Sequence, residues 1–242
     1  MRERFNRQSW KDCVSEMAPG VRIPLSPHMI KAIIFDLDGL LIDSQHLQYQ
    51  SASKAFSEKG SELTKEDWHH FIHGDMDYKK WIELHHVPTT AEEVRARKKE
   101  IYDQLIKTEL QLKVGAENLV NLLHNKFKLA VASHSRIESI ELCVNKFDFK
   151  SKFEHLISDQ AVGKRKPHPE VFLHVARIMN TEPEACLVFE DSLMGLKAAK
   201  SAGMKCIVCP DSFSNLDHKL FDDADKIVSS LEEVDLEMVN SF

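Results

Sequence analysis

The stretch "IIFDLDGLLIDS", residues 33–44, runs an apolar segment into two aspartates, then a glycine, more apolar residues and a third aspartate. A short run that is apolar at every position reads as a strand buried on both faces, the kind found in parallel sheets. At the C-terminal end of such a strand the backbone opens into the crevice where open α/β sheets hold ligands. Asp36 and Asp38 stand two apart, so in extended chain both carboxylates point to one side. Gly39 permits a sharp turn directly after them. Two close carboxylates repel unless a proton or a cation sits between them. A rigid strand is therefore expected to present a pair of acids to a cation and a reacting group.

Outward from this strand, short apolar runs alternate with helical patterns, which predicts a parallel sheet covered by helices. The expected strands are "KAIIFD" (31–36), "KLAVAS" (128–133), "HLIS" (155–158), "CLVFE" (186–190), "KCIVC" (205–209) and "KIV" (226–228). Between them, "HPEVFLHVARIMN" repeats apolar residues at helical spacing, and "SLMGLKAAKSAG" ends on Gly203, a C-terminal cap signal. Residues 46–113 break the rhythm with long polar helical patterns such as "TTAEEVRARKKEIYDQLIKTELQL" and no buried strand, so they read as an inserted helical domain. The core then comprises 29–45 and 114–242. Residues 1–28, polar and with Pro24 and Pro27 near their end, read as an arm or linker.

Other strand ends supply complementary chemistry. "VASHS" ends on Ser133, a hydroxyl donor; "GKRKPHPE" contains Lys166, a point charge for phosphoryl oxygens; "CLVFEDS" ends on Glu190 and Asp191, two further oxygen ligands. Singly, each is an ordinary turn, cap or surface residue. Jointly, each follows a buried-looking strand, and the set fits a hard divalent cation such as Mg²⁺ holding a substrate phosphate.

Bulk properties agree. The 242 residues suffice for one large domain or a domain with an insertion, and 43% hydrophobic with 29% charged residues is an ordinary globular composition. A net charge of −6 gives no footprint for nucleic acid polymers or anionic membranes, so an anionic ligand needs a local positive site. No run approaches the roughly 18 apolar residues of a membrane span. The five cysteines lack framework spacing, and the close pair in "CIVC" (206–209) lies in a β-prone stretch, which predicts reduced strand thiols and a cytoplasmic setting. The thirteen histidines include the pairs His69 with His70 and His85 with His86, read as surface residues because none has zinc-ligand spacing and context.

The sequence resembles the haloacid dehalogenase superfamily: "DLDG" looks like its first motif, Ser133 its second, Lys166 its third and "EDS" its fourth. The resemblance covers about 30–230. "DLDGLLIDS", "KPHPEVF" and "VFEDSLMGLKAAKSAGM" look like the branch with a helical C1-type cap, which includes β-phosphoglucomutases, sugar-phosphate phosphatases and the pseudouridine-5'-phosphatase-like group. It implies a Rossmann-like core with an α-helical cap and an Mg²⁺-dependent phosphatase acting on a small phosphorylated metabolite. In that reading Asp36 is the nucleophile and Asp38 the acid and base. Asp36, the Asp38 carbonyl and Asp191 hold the metal, with Glu190 acting directly or through water. Ser133 and Lys166 hold the phosphoryl group, with the Leu37 and His134 amides as further donors. Gly74, Lys79 and Lys80 in the cap turn "HGDMDYKK" (73–80) are the expected substrate contacts, and Lys164 is a second lysine beside the third motif.

One departure bears on the branch. The histidine that mutases carry five residues after the acid following DxDG falls here on Gln48, which favours a phosphatase over a phosphosugar mutase. A non-catalytic binding protein on the same fold would be expected to lose one of Asp36, Asp38, Lys166 or Asp191, and all four are present. Pseudouridine 5'-phosphate leads the substrate expectations, with other sugar phosphates open, and the cap is compatible with a monomer.

Overall fold

The computed structural model describes residues 29–214 and 217–242, so the expected N-terminal arm lies outside the described residues. The six expected strands form: β1 (Ala32–Phe35), β2 (Lys128–Ser133), β3 (His155–Ser158), β4 (Cys186–Glu190), β5 (Lys205–Val208) and β6 (Lys226–Ile227). They make one parallel sheet in the order β3-β2-β1-β4-β5-β6, with β1 central between β2 and β4. The α/β fold expected from the alternation of strands and helices is the one observed.

Side-chain parity sorts the strand residues between two cores. Ile33 and Phe35 of β1, Leu129 and Val131 of β2 and Leu187 and Phe189 of β4 face one cluster. Ala32, Ile34, Ala130, Ala132, Cys186 and Val188 face the other. Phe35 stacks on Phe189 at 5.1 Å between ring centroids across the β1–β4 pair. The first face is covered by α5 (Ala116–Leu123) and α6 (Ile137–Lys146), the second by α7 (Glu170–Ile178) and α8 (Leu193–Ser201). Burying every position is what makes these strands continuous apolar runs in the sequence.

The strand-free stretch forms α1 (Gln45–Ser57), α2 (Lys65–His73), α3 (Tyr78–Leu84) and α4 (Ala91–Thr108). Their starts follow side-chain caps. Thr64 and Asp67 make a capping box, Asp77 accepts from the Lys80 N–H, and Thr90 accepts from the Glu93 N–H. The four helices share an apolar cluster around Phe56, Trp68, Trp81 and Val94, separate from the two sheet clusters. The last turns of α4 instead place Tyr102 and Ile106 in the core that covers the sheet. Entry to and exit from this stretch run side by side: the Asp43 N–H donates to the Gln111 carbonyl at 2.9 Å and the Lys113 N–H to the Leu41 carbonyl at 3.0 Å. From the loop after β5, Phe213 reaches the helices, its ring 6.1 Å from Tyr49 and 4.2 Å from the Lys65 ammonium.

The "CIVC" cysteines are strand thiols as expected. Cys206 and Cys209 are buried and free, and burial pushes the Cys209 thiol up to about 11, so neither is a reactive thiolate.

Candidate active site

The C-terminal ends of β1, β2 and β4 meet the helical stretch around a cavity of about 710 Å³. Asp36 leaves β1 with its N–H still bonded to the Phe189 carbonyl at 2.9 Å, so the strand fixes its position. The residue is 7% exposed, and its carboxylate accepts from Lys166 at 2.5 Å. Lys166 also donates to the Ala132 carbonyl at 3.0 Å and to Glu190 at 2.5 Å, which occupies all three ammonium protons. Burial alone would lower the Lys166 ammonium, but the two carboxylates raise it above its ordinary value, so it stays charged.

Glu190 is fully buried and hydrogen-bonded at both oxygens. Its second oxygen accepts from the N–H groups of Asp191 and Ser192 and from the Ser192 hydroxyl, at 3.0 to 3.3 Å. Gly195 makes room for it, since a Cβ there would lie 1.8 Å from the Glu190 carboxyl carbon. Glu190 was expected to act on the metal directly or through water; it stands in the acidic cluster with Asp36 and Asp191 and also holds Lys166.

The two aspartates, expected to face one group together, divide between two settings. Asp36 joins Asp191 and Glu190 in a cluster of buried carboxylates whose ligand atoms lie within 4.8 Å of one another. The Asp38 carboxylate turns to a ring of donors instead: Ser44, Gln48 and Tyr102 on one oxygen at 2.7, 3.3 and 3.0 Å, Ser133 and Ser135 on the other at 3.1 and 2.7 Å. The Asp38 side chain is thus no member of the acidic cluster, which leaves only its backbone carbonyl for the metal role expected of it. Gly39, at φ +86°, makes the turn directly after the two aspartates, and a Cβ there would meet the Asp191 carboxylate at 2.2 Å.

The acidic cluster fits a divalent cation. Three buried carboxylates face one ammonium, all donors are hard oxygens, and burial with mutual repulsion pushes Asp36 up to about 8 and Asp191 well above the usual carboxylate range. Burial and mutual repulsion favour the protonated acids, and a cation bound among them would favour the ionised forms.

Ser133 is buried and donates to Asp38, while the Leu37 and His134 N–H groups donate to no protein acceptor among the described residues. The His134 ring, which sequence reasoning passed over, lines the cavity and bonds through Nδ1 to the fully buried Asp159.

The cap contacts are the main correction. Gly74 is an exposed left-handed helix cap, Lys79 pairs with Glu83 at 3.9 Å and Lys80 donates to the Asp75 carbonyl at 3.3 Å; none lines the cavity. The helix start that Asp77 caps turns these lysines to solvent, while Met76, Asp77 and Tyr78 of the same turn face inward. Lys164 likewise pairs with Glu170 outside, and its neighbour Arg165 lines the cavity. The wall is supplied instead by Arg95, Lys98, Lys99 and Tyr102 of α4, spaced i, i+3, i+4, i+7 on one helix face. That stripe was present in the sequence as a signal. His85 stacks on Trp81 at 3.8 Å and His69 contacts the Phe213 carbonyl at 3.0 Å, so His69 is a contact to the core rather than a surface residue.

Residues 33–209 match the family of haloacid dehalogenase-like hydrolases, and the chain belongs to that family. It is 31% identical over 216 residues to hexitol phosphatase B of Escherichia coli, covering 86% of this chain and 96% of that protein. It is 32% identical over 188 residues to a Drosophila melanogaster protein described as "Probable pseudouridine-5'-phosphatase", covering 74% of this chain and 80% of the relative. The crystal structure of CbbY from Rhodobacter sphaeroides in complex with phosphate matches with a TM-score of 0.78 at 26% identity, over 88% of this chain and 100% of that chain. With relatives named as phosphatases, the chain is a hydrolase of the phosphatase class.

Proposed function

We propose that this hydrolase releases phosphate from a small sugar or nucleotide phosphomonoester, with magnesium, through a phosphoryl group carried on Asp36. The observation that carries the reading is the split setting of the two aspartates: one among a lysine and buried acids, the other among hydroxyl and amide donors. A nucleophile must be ionised and in line: Lys166 favours the ionised form of Asp36, as a bound cation would, and the strand end fixes its line. Asp36 attacks phosphorus as the bond to the leaving oxygen breaks, and Asp38 gives that oxygen a proton. Asp38 then takes a proton from water as the water attacks phosphorus, which frees Asp36 and inorganic phosphate. Ser133, Lys166 and the Leu37 and His134 amides hold the phosphoryl oxygens.

Asp36, the Asp38 carbonyl and Asp191 would hold the magnesium, with Glu190 supporting them through Lys166 or a water. Bound there, the ion supplies neutralisation of the phosphoryl charge.

Residues 46–113 act in this reading as a cap, hinged where 41–43 pair with 111–113 and closing water out of the site. Gln48 favours hydrolysis over phosphosugar mutation. It donates to Asp38 at 3.3 Å, and an amide cannot pass a proton on as an imidazole does. Pseudouridine 5'-phosphate is the leading nucleotide substrate on the likeness to the Drosophila relative. The free, buried cysteines among the described residues support a cytoplasmic enzyme, and a monomer suffices for the site. The test is release of phosphate from p-nitrophenyl phosphate with Mg²⁺: chelation and Asp36→Asn each abolish it, and full activity in Asp36→Asn contradicts the reading.

A further inference from the structure

Strands β2 and β3 end in the same way. Their last residues, Ser133 and Ser158, stand level in the parallel register. Each hydroxyl accepts the N–H two residues further on, from Ser135 at 3.0 Å and from Gln160 at 3.3 Å, so two matching serine turns leave the sheet side by side. The central residues of these turns are His134 and Asp159, and their side chains join: the ring bonds through Nδ1 to the Asp159 carboxylate.

Asp159 is more than a turn residue. It is fully buried, its other carboxylate oxygen has no hydrogen-bond partner, and His134 is the one partner of its side chain among the described residues. Buried polar groups are normally satisfied, so a half-satisfied carboxylate needs a reason beyond packing. With that carboxylate as acceptor, Nδ1 is the donor and the ring is held in one orientation. The ring also lines the cavity, so the pair ties the cavity rim to the buried end of β3.

The turn that is tied down carries groups of the site. Ser133 and Ser135 donate to Asp38 at 3.1 and 2.7 Å, and between them the His134 N–H has no protein acceptor among the described residues. The polar anchor toward β1 is therefore Asp38, and the polar anchor toward β3 is Asp159.

We propose that Asp159 is a positioning residue for phosphoryl transfer, acting through the His134 ring to aim the His134 backbone N–H at the transferring phosphoryl group. Fixed from both sides, that N–H points in advance at the oxygens on which charge grows. Such a donor stabilises the transition state more than the bound substrate, because it needs no reorganisation when the reaction occurs. The inference rests on the phosphatase reading, in which this N–H holds a phosphoryl oxygen.

The experiment uses the full chain with Mg²⁺ and two substitutions at one exposed position, both expected to fold. His134→Ala keeps the backbone N–H and removes its tether. His134→Asn places an amide nitrogen near the position of Nδ1, so a bond to Asp159 can form again. With p-nitrophenyl phosphate, His134→Ala is expected to lower kcat about tenfold or more, short of the ~10²–10³-fold that follows outright loss of such a donor, with KM changed less than about twofold. His134→Asn is expected to recover kcat to within about threefold of wild type. Adding Asp159→Ala to His134→Ala removes the carboxylate that the single variant leaves unpaired, and is expected to lower kcat no more than about twofold further, because the two residues act as one unit. Orthovanadate, whose five-coordinate adduct has the geometry of phosphorus in transit, gives a reading without turnover: by calorimetry its binding weakens about tenfold in His134→Ala and recovers in His134→Asn.

Kcat and vanadate binding both kept within about twofold in His134→Ala would overturn the proposal. Equal losses in His134→Ala and His134→Asn would also overturn it, since the ring itself would then be the substrate contact, as would additive losses in the double variant. If the wild-type protein releases no phosphate, the phosphatase reading falls and vanadate binding alone decides: weakened by His134→Ala and restored by His134→Asn, the pair keeps its role in holding the anion, and any other pattern removes it.

Discussion

The floor and the wall of the cavity are built on opposite electrostatic plans. On the floor, Asp36, Glu190 and Asp191 are buried around one lysine, and each oxygen or proton of the Lys166–Glu190 pair has a named partner. On the wall, Lys98 and Arg136 make no ion pair among the described residues, and Lys98 lies between the opposing charges of Asp38 and Arg136. The floor is rigid because strands and saturated hydrogen bonds fix it; the wall rides partly on helices joined to the core by a pair of adjacent linkers. The difference teaches that reaction type and substrate choice are written into different parts of the chain.

The largest effects are expected on the floor. Asp36→Asn and Asp38→Asn should each lower kcat by about 10³-fold or more, since removing one member of a reacting unit costs nearly as much as removing all. The check is phosphate release under saturating substrate; a loss below tenfold for either would break the assignment. Lys166→Met comes next, because it strands two buried carboxylates, and removing one partner of a buried pair costs about 3–5 kcal/mol. Denaturant unfolding measures it, and Gly195→Ala should follow at about 1–3 kcal/mol by pressing a Cβ onto Glu190.

Metal removal sharpens the contrast through pH. Burial raises Asp36 to about 8, far above its unfolded value of 3.8, so the metal-free fold binds a proton that the unfolded chain has lost. The sign follows: this contribution is full below about pH 4 and is lost as pH rises through about 8. Chelated protein should therefore show a Tm that falls across that window, and Mg²⁺ should remove the fall by binding the ionised acids. A Tm indifferent to Mg²⁺ at pH 8 would count against the site.

Effects on the wall, and where the loop after β5 meets the helices, should be smaller. Tyr102→Phe deletes one of five donors to Asp38, a neutral-to-charged contact with four neighbours left, and should slow kcat by about tenfold or less. Phe213→Ala removes the ring under Lys65 and beside Tyr49, and should raise KM by about two- to fivefold with kcat nearly kept.

How far each part was legible in the sequence follows from the same physics. Strand ends announce themselves, because "IIFD", "VAS" and "LVFED" put an apolar run directly against a polar residue, and register does the rest. The strands at 128–133, 155–158 and 186–190 came out at the expected residues. Glu190 was found by position, yet its work was hidden, since that depends on the Cβ that Gly195 lacks. In the helical stretch the expectation on Gly74, Lys79 and Lys80 failed because charge near a turn does not say which way a helix start faces. The stripe at 95, 98, 99 and 102 has the same spacing whether it faces water or a ligand. Only the packing of α4 on the core decides it.

The central claim is that Asp36 carries the phosphoryl group while Asp38 handles protons. Its most direct test is an acid-quenched single turnover of Asp38→Asn with p-nitrophenyl phosphate, whose leaving group needs little protonation, followed by peptide mass spectrometry. The account predicts a phosphoryl adduct on Asp36; an adduct on any other residue, or product formed at full rate by Asp36→Asn, would contradict it.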